Sequence, residues 1–360
     1  MSFIHKKSIG IIGGGQLAKM LSASIQKMGA TAHIYSENPT DPGATTTAFH
    51  TKGKSTDYKK IEKWAKDLDI ITFESEFIEL SNIKLGKHAP NSKSMMLLRD
   101  RLSQKTLLEK FKIPTSRFTQ PTKESAFKTP LVLKQRLFGY DGYGTLICKN
   151  KDTYNKFIKT EGTLDSWIEE DFIPFKKELA FSIARTKDNN FTVLPLVETF
   201  QKDSKCFWVK GPVENKKLNP LITKAKKLLT HLNYTGIIAF ELFETKSGNL
   251  LVNEVAPRVH NSAHYSIEGL PLSQFDIHIL SILNQKLPSK IKPHKAFAMV
   301  NLIGTSTKNP KLQAFDNGCL HWYGKLQNRP GRKMGHLTVL DSTPNKALNL
   351  ALKAEKGQIL

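Results

Sequence analysis

A short apolar strand that runs into a glycine-rich turn is the feature that most constrains the fold of this chain. Residues 8–12 predict a buried strand, residues 13–15 (Gly-Gly-Gly) form the turn, and a helical pattern then continues to Met28. Residues 32–36 predict a second strand and residues 69–73 a third. Apolar strands that alternate with helices in this way indicate a doubly wound parallel sheet.

The turn itself is a candidate phosphate site. Gly13, Gly15 and Ala18 have the spacing of a dinucleotide-binding fingerprint, and Glu37 follows the second strand. Such a turn directs backbone N–H groups and a helix N-terminus toward a phosphate. Glycines also occur at strand–helix turns for packing alone. This motif therefore leaves three interpretations open: a dinucleotide site, a site for another phosphate-bearing ligand, and a purely structural turn.

The composition is that of a folded protein with more than one domain. The chain has 360 residues, of which 39% are hydrophobic and 24% charged, which argues against disorder. No apolar run approaches the ~18 residues needed to span a bilayer, and the N-terminus has no signal-peptide pattern. Cys148, Cys206 and Cys319 are too widely spaced for a metal knuckle or a disulfide framework. We therefore expect a cytoplasmic protein without a membrane partner.

The strong positive charge does not by itself indicate a nucleic-acid-binding protein. Lys and Arg number 54 against 32 Asp and Glu, which gives a formal charge of +22. The lysines are spread along the whole chain without a single basic block or an aromatic-interleaved recognition module, so we expect no nucleic-acid partner. Only eight of the basic residues are Arg. Arg is therefore a more informative residue than Lys in this chain, because it indicates a site that needs a planar, bidentate donor.

Two acids in a predicted hairpin form the first candidate site. Residues 236–243 and 249–255 predict antiparallel strands, which would bring Glu241, Glu254 and Asn253 close together. Carboxylate and amide oxygens on rigid strands suit Mg²⁺, with nucleotide phosphates completing its coordination. The alternative is a pair of solvent-facing acids. Both acids lie among apolar residues, however, where a carboxylate needs a metal or a cation as its partner.

The loop after this hairpin carries a candidate anion site. Pro257 ends the strand, so Arg258, His260 and Asn261 fall together on the following loop. A guanidinium, an imidazole and an amide form a pocket suited to a small planar anion. A structural loop histidine is the ordinary alternative.

Two further segments predict phosphate contacts. Lys134 ends an apolar strand and precedes a glycine-rich flap at 139–144, which suits a lysine that binds nucleotide phosphates under a closing flap. Near the C-terminus, residues 320–325 and 329–336 concentrate cations, aromatics and glycines, and they include the scarce Arg332. A surface lysine and a solvated basic loop are the alternatives.

Five segments of the chain resemble the ATP-grasp ligases, and most closely the 5-(carboxyamino)imidazole ribonucleotide synthetase family of purine biosynthesis. The segments are GGGQLAKML (13–21), DRLSQK (100–105), GYDGYG (139–144), NEVAPRVHN (253–261) and RPGRKMGH (329–336). They occur in the order of that family, and the resemblance covers residues 8–340.

The resemblance implies a fold of mixed α/β and α+β class, the ATP-grasp fold. It predicts a doubly wound, Rossmann-like pre-ATP-grasp domain at 1–100 and an ATP-grasp domain at 101–290. Within the latter, residues 115–185 or thereabouts would form a flexible lid. A small C-terminal domain would occupy 291–360.

The resemblance also implies roles in binding ATP and Mg²⁺. The flap would cover the nucleotide, Glu178 would contact its ribose, and Glu241 and Glu254 would bind one or two Mg²⁺ ions. The residues assigned to ATP are Arg101, Lys134, Gly139, Tyr140, Asp141, Gly142, Tyr143, Gly144, Thr145, Glu170, Asp171, Phe172, Ile173, Glu178, Gln201, Asn253 and Glu254.

The implied reaction is the ATP-dependent carboxylation of 5-aminoimidazole ribonucleotide by bicarbonate, through carboxyphosphate. Arg258, His260 and Asn261 would hold the activated bicarbonate, and Asp141 would lie near the imidazole ring. The residues assigned to the ribonucleotide are Gly15, Gln16, Leu17, Glu74, Tyr140, Lys325 and Arg332. The family is commonly homodimeric, and a separate mutase takes its product.

Two positions depart from the family pattern, and three other functions are alternatives. Tyr143 stands where the family usually has a basic residue, and Gln201 where it usually has His. The nearest alternative is a formate-dependent glycinamide ribonucleotide transformylase of the same superfamily. The others are a nicotinamide-dependent oxidoreductase, suggested by the glycine-rich turn with Glu37, and a basic nucleic-acid-binding protein.

Overall fold

The fold is that of a computed structural model, which describes residues 4–78, 86–139 and 142–360. Two predicted site residues, Tyr140 and Asp141, lie outside the described residues. The described part of the chain forms three β-sheets with helices packed against them. None of its helices is long and apolar enough to cross a membrane.

The N-terminal sheet is the predicted parallel sheet. Its strands are β1 Ser8–Ile12, β2 Thr31–Ser36, β3 His50–Lys52 and β4 Ile70–Phe73, and its helices are α1 Gln16–Lys27, α2 Tyr58–Ala65 and α3 Ser92–Arg99. The strand order is β3-β2-β1-β4, with β1 parallel to both of its neighbours. The turn after β1 requires glycine, because Gly13 has a φ of +118° and a Cβ there would lie 2.2 Å from Cγ of Glu74.

A second, antiparallel sheet lies within the predicted lid. It follows helix α4 (Arg101–Lys110), and its elements are β5 Phe118–Thr119, β6 Leu131–Gln135, β7 Thr145–Cys148, α5 Lys151–Thr160 and β8 Trp167–Asp171. The strand order is β5-β8-β6-β7. Because β6 pairs with β8, Lys134 of β6 and Glu170 of β8 are brought within ion-pair distance of each other.

The third sheet joins the central and C-terminal segments of the chain. Its strands are β9 Phe175–Arg185, β10 Phe191–Val193, β11 Val197–Lys202, β12 Lys205–Gly211, β13 Gly236–Thr245, β14 Leu250–Ala256, β15 Ala296–Ile303, β16 Cys319–Trp322 and β17 Lys333–Asp341. The order is β14-β13-β9-β11-β12-β15-β17-β16, and β10 pairs with β9. The β12–β15 pairing crosses the predicted boundary near residue 291, so strands on both sides of it share one sheet. The domain boundaries stay predictions.

Helix α8 connects the N-terminal sheet to the large sheet. The remaining helices are α6 Leu218–His231, α7 Ser266–Gly269, α8 Gln274–Ile282 and α9 Pro344–Lys356. Every residue of α8 is buried, as expected for a helix that is apolar around most of its circumference. Asp276 of α8 accepts a hydrogen bond from Ser24 of α1 at 2.7 Å, and His278 Nε2 lies 2.7 Å from Thr72 Oγ1 of β4. These buried contacts fix the position of the loop that precedes α8.

Candidate active site

A cleft of about 650 Å³ is lined by residues of both the lid sheet and the large sheet. Most of the residues predicted to bind ATP, metal and anion meet there, although Arg101 and Glu254, for example, are 153 positions apart in sequence. The predicted residues that line the cleft are Arg101, Lys134, Gly139, Gly142, Thr145, Glu170, Asp171, Phe172, Ile173, Glu178, Gln201, Glu241, Asn253, Glu254, Arg258, His260 and Asn261.

The two predicted metal-binding acids are partners in the β13–β14 hairpin. Glu241 and Glu254 lie directly opposite each other in the antiparallel register, next to a bulge after Glu241. Burial, together with the neighbouring carboxylates of Glu254 and Glu178, raises the pKa of Glu241 to about 7. A divalent cation would relieve this repulsion, so the pair fits Mg²⁺. Among the described residues no group of three or more His, Cys, Asp or Glu could hold a metal alone.

Arg101 connects this acid pair to the lid. Its Nη2 lies 3.0 and 3.2 Å from the two carboxylate oxygens of Glu254, and it also donates to the carbonyl of Gly139 in the flap at 3.2 Å. Its Nη1 donates to the carbonyl of Gln135 at 2.7 Å. Arg101 is the first residue of α4, whose N-terminus is capped by the side chain of Asp100. The guanidinium is therefore held between the flap residue Gly139 and the predicted metal-binding residue Glu254.

A buried Lys–Glu–Lys cluster supports the base of the lid. Glu170 lies 3.0 Å from Lys105 Nζ and 3.2 Å from Lys134 Nζ, and it accepts a hydrogen bond from Ser116 at 2.7 Å. Although burial opposes ionisation, these cations lower the pKa of Glu170 to about 2. Lys134 also donates to Oδ1 of Asn253 at 2.8 Å. The Glu170 side chain is thus occupied by the two lysines.

Replacing Glu170 with glutamine should lower the free energy of unfolding by about 3–5 kcal/mol, because two buried ammonium groups lose their shared partner. The folded-state pKa of about 2 lies below the ordinary value of 4.5. The stabilisation is therefore complete above pH 4.5 and is lost as the pH falls toward 2. Chemical denaturation of both proteins across this range measures the difference in unfolding free energy.

Glu169→Gln is the matched control for that prediction. Glu169 is buried on the same strand, but its partners are the neutral donors of Ser125, Phe127 and Tyr154. We expect this variant to lose only about 1 kcal/mol. Equal losses in the two variants, or a loss in Glu170→Gln that does not shrink on acidification, would contradict the role given to the lysine pair.

The predicted anion residues Arg258, His260 and Asn261 all line the cleft. Arg258 makes two hydrogen bonds to the buried carboxylate of Glu76, at 2.5 and 3.0 Å. His260 Nε2 lies 3.5 Å from Glu241 Oε1, and its Nδ1 accepts a hydrogen bond from the backbone N–H of Ser262 at 3.3 Å. Burial lowers the pKa of His260 well below its ordinary value, so its imidazole is neutral and Nε2 carries the hydrogen.

Asn261 is held by a second asparagine. Its Nδ2 donates to Asn301 Oδ1 at 3.0 Å, and Asn301 Nδ2 donates back to Asn261 Oδ1 at 2.7 Å. Asn301 lies on β15, fully buried, and also donates to the carbonyl of Cys206 on β12. The amide of Asn261 therefore has a fixed orientation at the edge of the cleft.

The described residues that are predicted to bind the ribonucleotide lie outside the cleft lining. Glu74 accepts hydrogen bonds from the backbone N–H groups of Gly15 and Ala18, at 2.8 and 3.0 Å, and so stabilises the glycine-rich turn. Lys325 Nζ donates to the carbonyl of Lys333, which does line the cleft. The predicted residues outside the lining are Gly15, Gln16, Leu17, Glu74, Tyr143, Gly144, Lys325 and Arg332.

The glycine-rich turn and the C-terminal basic loop are nevertheless neighbours. Lys19 of α1 donates hydrogen bonds to the carbonyls of Trp322 and Tyr323, at 3.0 and 3.1 Å. These carbonyls directly precede the loop that carries Lys325. At the other end of this loop, Arg332 donates a hydrogen bond to the carbonyl of Gln327. The two segments predicted to contact one ribonucleotide thus lie side by side.

The positions that depart from the family pattern differ in their surroundings. Gln201 lines the cleft near Glu178, whose pKa burial raises to about 7. Tyr143 has 63% of its surface exposed and does not line the cleft. Of the two departures, only Gln201 therefore lines the cleft.

Comparison with known proteins identifies the family. Three family models match the chain: the ribonucleotide synthetase preATP-grasp domain over residues 6–95, the ATP-grasp domain over 106–275, and the phosphoribosylaminoimidazole carboxylase C-terminal domain over 298–349. The N5-carboxyaminoimidazole ribonucleotide synthase of Synechococcus elongatus is 34% identical over 352 residues, which cover 92% of this chain and 89% of that protein. The chain belongs to the N5-carboxyaminoimidazole ribonucleotide synthase family.

Solved structures of N5-carboxyaminoimidazole ribonucleotide synthases have the same fold. The Staphylococcus aureus enzyme complexed with ADP has a TM-score of 0.87 and 30% identity, covering 97% of this chain and 96% of that one. The Aspergillus clavatus enzyme in complex with ADP and 5-aminoimidazole ribonucleotide has a TM-score of 0.84 and 26% identity, covering 98% and 100%. The predicted family and fold class are confirmed.

Sequence reasoning did not single out four residues that the structure places at the site of this family member. Glu76 and Lys333 line the cleft, Lys105 pairs with Glu170, and Asn301 pairs with Asn261. Lys105 and Lys333 fall within motifs quoted above, so a signal was present for them. The sequence also contains a signal for Asn301, because it is an amide in the middle of an apolar strand and such a group needs a hydrogen-bond partner.

Proposed function

We propose that this protein carboxylates the exocyclic amine of 5-aminoimidazole ribonucleotide with bicarbonate, using ATP and releasing ADP and phosphate. The observation that carries the proposal is the order of groups along one segment of the cleft. Glu254 faces Glu241 at the end where phosphates would lie, and Arg258, His260 and Asn261 follow it in the same cleft. Nucleotide phosphates and a small anion would thereby be held next to each other, as a transfer between them requires.

In the first step, an oxygen of bicarbonate attacks the γ-phosphorus of ATP, the bond from that phosphorus to the leaving oxygen breaks, and ADP departs. Arg101 and Lys134 neutralise charge on the phosphates, and Mg²⁺ held by Glu241 and Glu254 would add to this. Arg258 attracts the bicarbonate anion, and the neutral His260 donates from Nε2 to one of its oxygens. The product of this step is carboxyphosphate.

In the second step, the carbon–oxygen bond to phosphate breaks and leaves carbon dioxide beside the ribonucleotide. The amine nitrogen bonds to the carbon and loses a proton, for which the released phosphate is an available base. Because carboxyphosphate hydrolyses readily, the site has to exclude water while this happens, and the flap at 139–144 is suited to that task.

The basic loop is proposed to bind the 5′-phosphate of the ribonucleotide. Replacing Arg332 with alanine should raise the KM for the ribonucleotide by about 10-fold or more, since a charge-assisted hydrogen bond contributes about 1.5–3 kcal/mol. The kcat should change little. Steady-state kinetics with varied ribonucleotide measures this, and the exposed Arg329 of the same loop, changed to alanine, is the control. An unchanged KM in Arg332→Ala would remove the phosphate site from this loop.

We infer that one or two Mg²⁺ ions accompany ATP and that the protein acts as a homodimer in the cytoplasm. Its three cysteines are free, in keeping with a reducing compartment. The carbamate product carries its carboxylate on nitrogen, so a separate mutase would be needed to move that carboxylate to carbon.

Isotope incorporation tests the proposed reaction. With ¹³C-labelled bicarbonate, ATP and 5-aminoimidazole ribonucleotide, we expect one labelled carboxylate per product molecule in prompt mass spectrometry. The control reaction omits ATP and should contain only the small amount of carbamate that forms spontaneously. A product that forms without label, or without ATP at the same rate, would overturn the proposal.

A further inference from the structure

Two buried glutamines hold the backbone of the segment that carries the proposed metal and anion residues. Gln104 lies on α4 and belongs to the DRLSQK motif, and Gln274 is the first residue of α8. They have 3% and 0% of their surface exposed. Neither lines the cleft in the described part of the chain. Their roles therefore have to be exercised through the residues they contact.

Gln104 completes the hydrogen bonding of an edge strand. β14 lies at one end of the large sheet, and among the described residues its outer edge is paired only by an isolated bridge between Val252 and Thr115. Gln104 Oε1 accepts from the N–H of Val255 at 2.9 Å, and its Nε2 donates to the carbonyl of Val255 at 2.8 Å. The side-chain amide thus pairs with Val255 as a strand would, directly beside Glu254. A second bond from Nε2 to the carbonyl of Leu98 fixes the amide itself.

Gln274 makes the same pair of bonds to the anion loop. Its Oε1 accepts from the N–H of His260 at 2.8 Å, and its Nε2 donates to the carbonyl of His260 at 2.8 Å. The second hydrogen of Nε2 is directed to Nδ1 of His264, also at 2.8 Å. One acceptor and two donors are all used, so the orientation of the amide is fully determined.

The elements that carry the two glutamines are themselves fixed. The backbone N–H of Gln274 donates to Ser266 Oγ at 2.8 Å, and α8 is bound to α1 through Asp276, which contacts Ser24 and Lys27. At the other end, α4 begins at Arg101, whose side chain contacts Glu254. Each glutamine therefore connects a packed helix to one end of the segment that carries the proposed metal and anion residues.

We propose that Gln104 and Gln274 are positioning residues with separate duties: Gln104 sets Glu254 for the nucleotide and its metal, and Gln274 sets Arg258, His260 and Asn261 for bicarbonate. The inference rests on the proposed function for the identity of the two ligands. It predicts that removing either amide affects mainly the ligand at its own end of the segment.

The test uses the near-isosteric variants Gln104→Met and Gln274→Met in the full-length protein, each serving as the control for the other. Gln274→Met should raise the KM for bicarbonate by about 10- to 100-fold, with calorimetric binding of ADP and Mg²⁺ close to wild type. Gln104→Met should weaken ADP binding in the presence of Mg²⁺ by about 10- to 100-fold and leave the bicarbonate KM nearly unchanged. Thermal unfolding of all proteins is followed in parallel.

The inference requires that one variant changes mainly the KM for bicarbonate and the other mainly the affinity for ADP. Variants that change both quantities equally, or that lose only thermal stability, would show that the glutamines are structural and would overturn the inference. If a methionine variant does not fold, the glutamate variant at that position, which keeps the acceptor and loses both donors, is judged by the same criterion. A wild-type protein without bicarbonate-dependent ADP release would instead defeat the proposed function, while the effect of Gln104 on ADP binding would still be measurable.

Discussion

Replacing Glu254 with glutamine is expected to reduce ATP turnover by about 1,000-fold or more, with the fold intact. Glu254 lies opposite Glu241 and contacts Arg101, so the neutral amide weakens the proposed metal site and removes an ion pair where phosphates are proposed to bind. A catalytic metal contributes several kcal/mol to phosphoryl transfer, and each ~1.4 kcal/mol is a factor of ten in rate. Release of ADP under saturating substrates measures turnover, and circular dichroism checks the fold.

The control for this variant is Glu244→Gln. Glu244 lies on β13 as well, but it accepts a hydrogen bond from Asn215 and does not line the cleft. We expect near wild-type turnover from it. Wild-type turnover in Glu254→Gln would refute the proposed metal site, because turnover would then not depend on that carboxylate.

Replacing Arg258 with methionine is expected to lower kcat/KM for bicarbonate by about 100- to 1,000-fold, the effect of removing one fixed donor from a developing anion. The change also leaves the buried carboxylate of Glu76 without its cation. We therefore expect the free energy of unfolding to fall by about 3–5 kcal/mol in the single variant.

The double variant Glu76→Gln with Arg258→Met separates stability from activity. Removing both charges should restore part of the lost unfolding free energy, since no uncompensated buried charge is left. It should not restore the use of bicarbonate, because the guanidinium is still absent. Recovery of activity together with stability would show that Arg258 acts only through folding and would remove it from the anion site.

The sequence predicted the elements whose signals are local. The apolar strand and glycine-rich turn at the N-terminus predicted the parallel sheet, and alternating residues around Glu241 and Glu254 predicted the hairpin that makes them partners. Pro257 then placed Arg258 and His260 on one loop, and both line the cleft. In each case a few neighbouring residues determine the geometry, so a single chain is sufficient to predict it.

What the sequence did not predict depends on contacts between distant segments. Glu76 and Arg258 are 182 positions apart, and nothing near Glu76 indicates its partner. Strands β10 to β12 and helix α9 were not predicted either. The pairing of β12 with β15 depends on which strand edges meet after the chain has folded back, and periodicity within a segment contains no information on that.

The most direct test of the central claim is the substrate dependence of ADP release. With ATP and Mg²⁺ present, we expect rapid ADP release only when bicarbonate and 5-aminoimidazole ribonucleotide are supplied together, and slow release with either one alone. The comparison reaction contains formate and glycinamide ribonucleotide. ADP release with that pair, and none with bicarbonate and 5-aminoimidazole ribonucleotide, would contradict the proposed function.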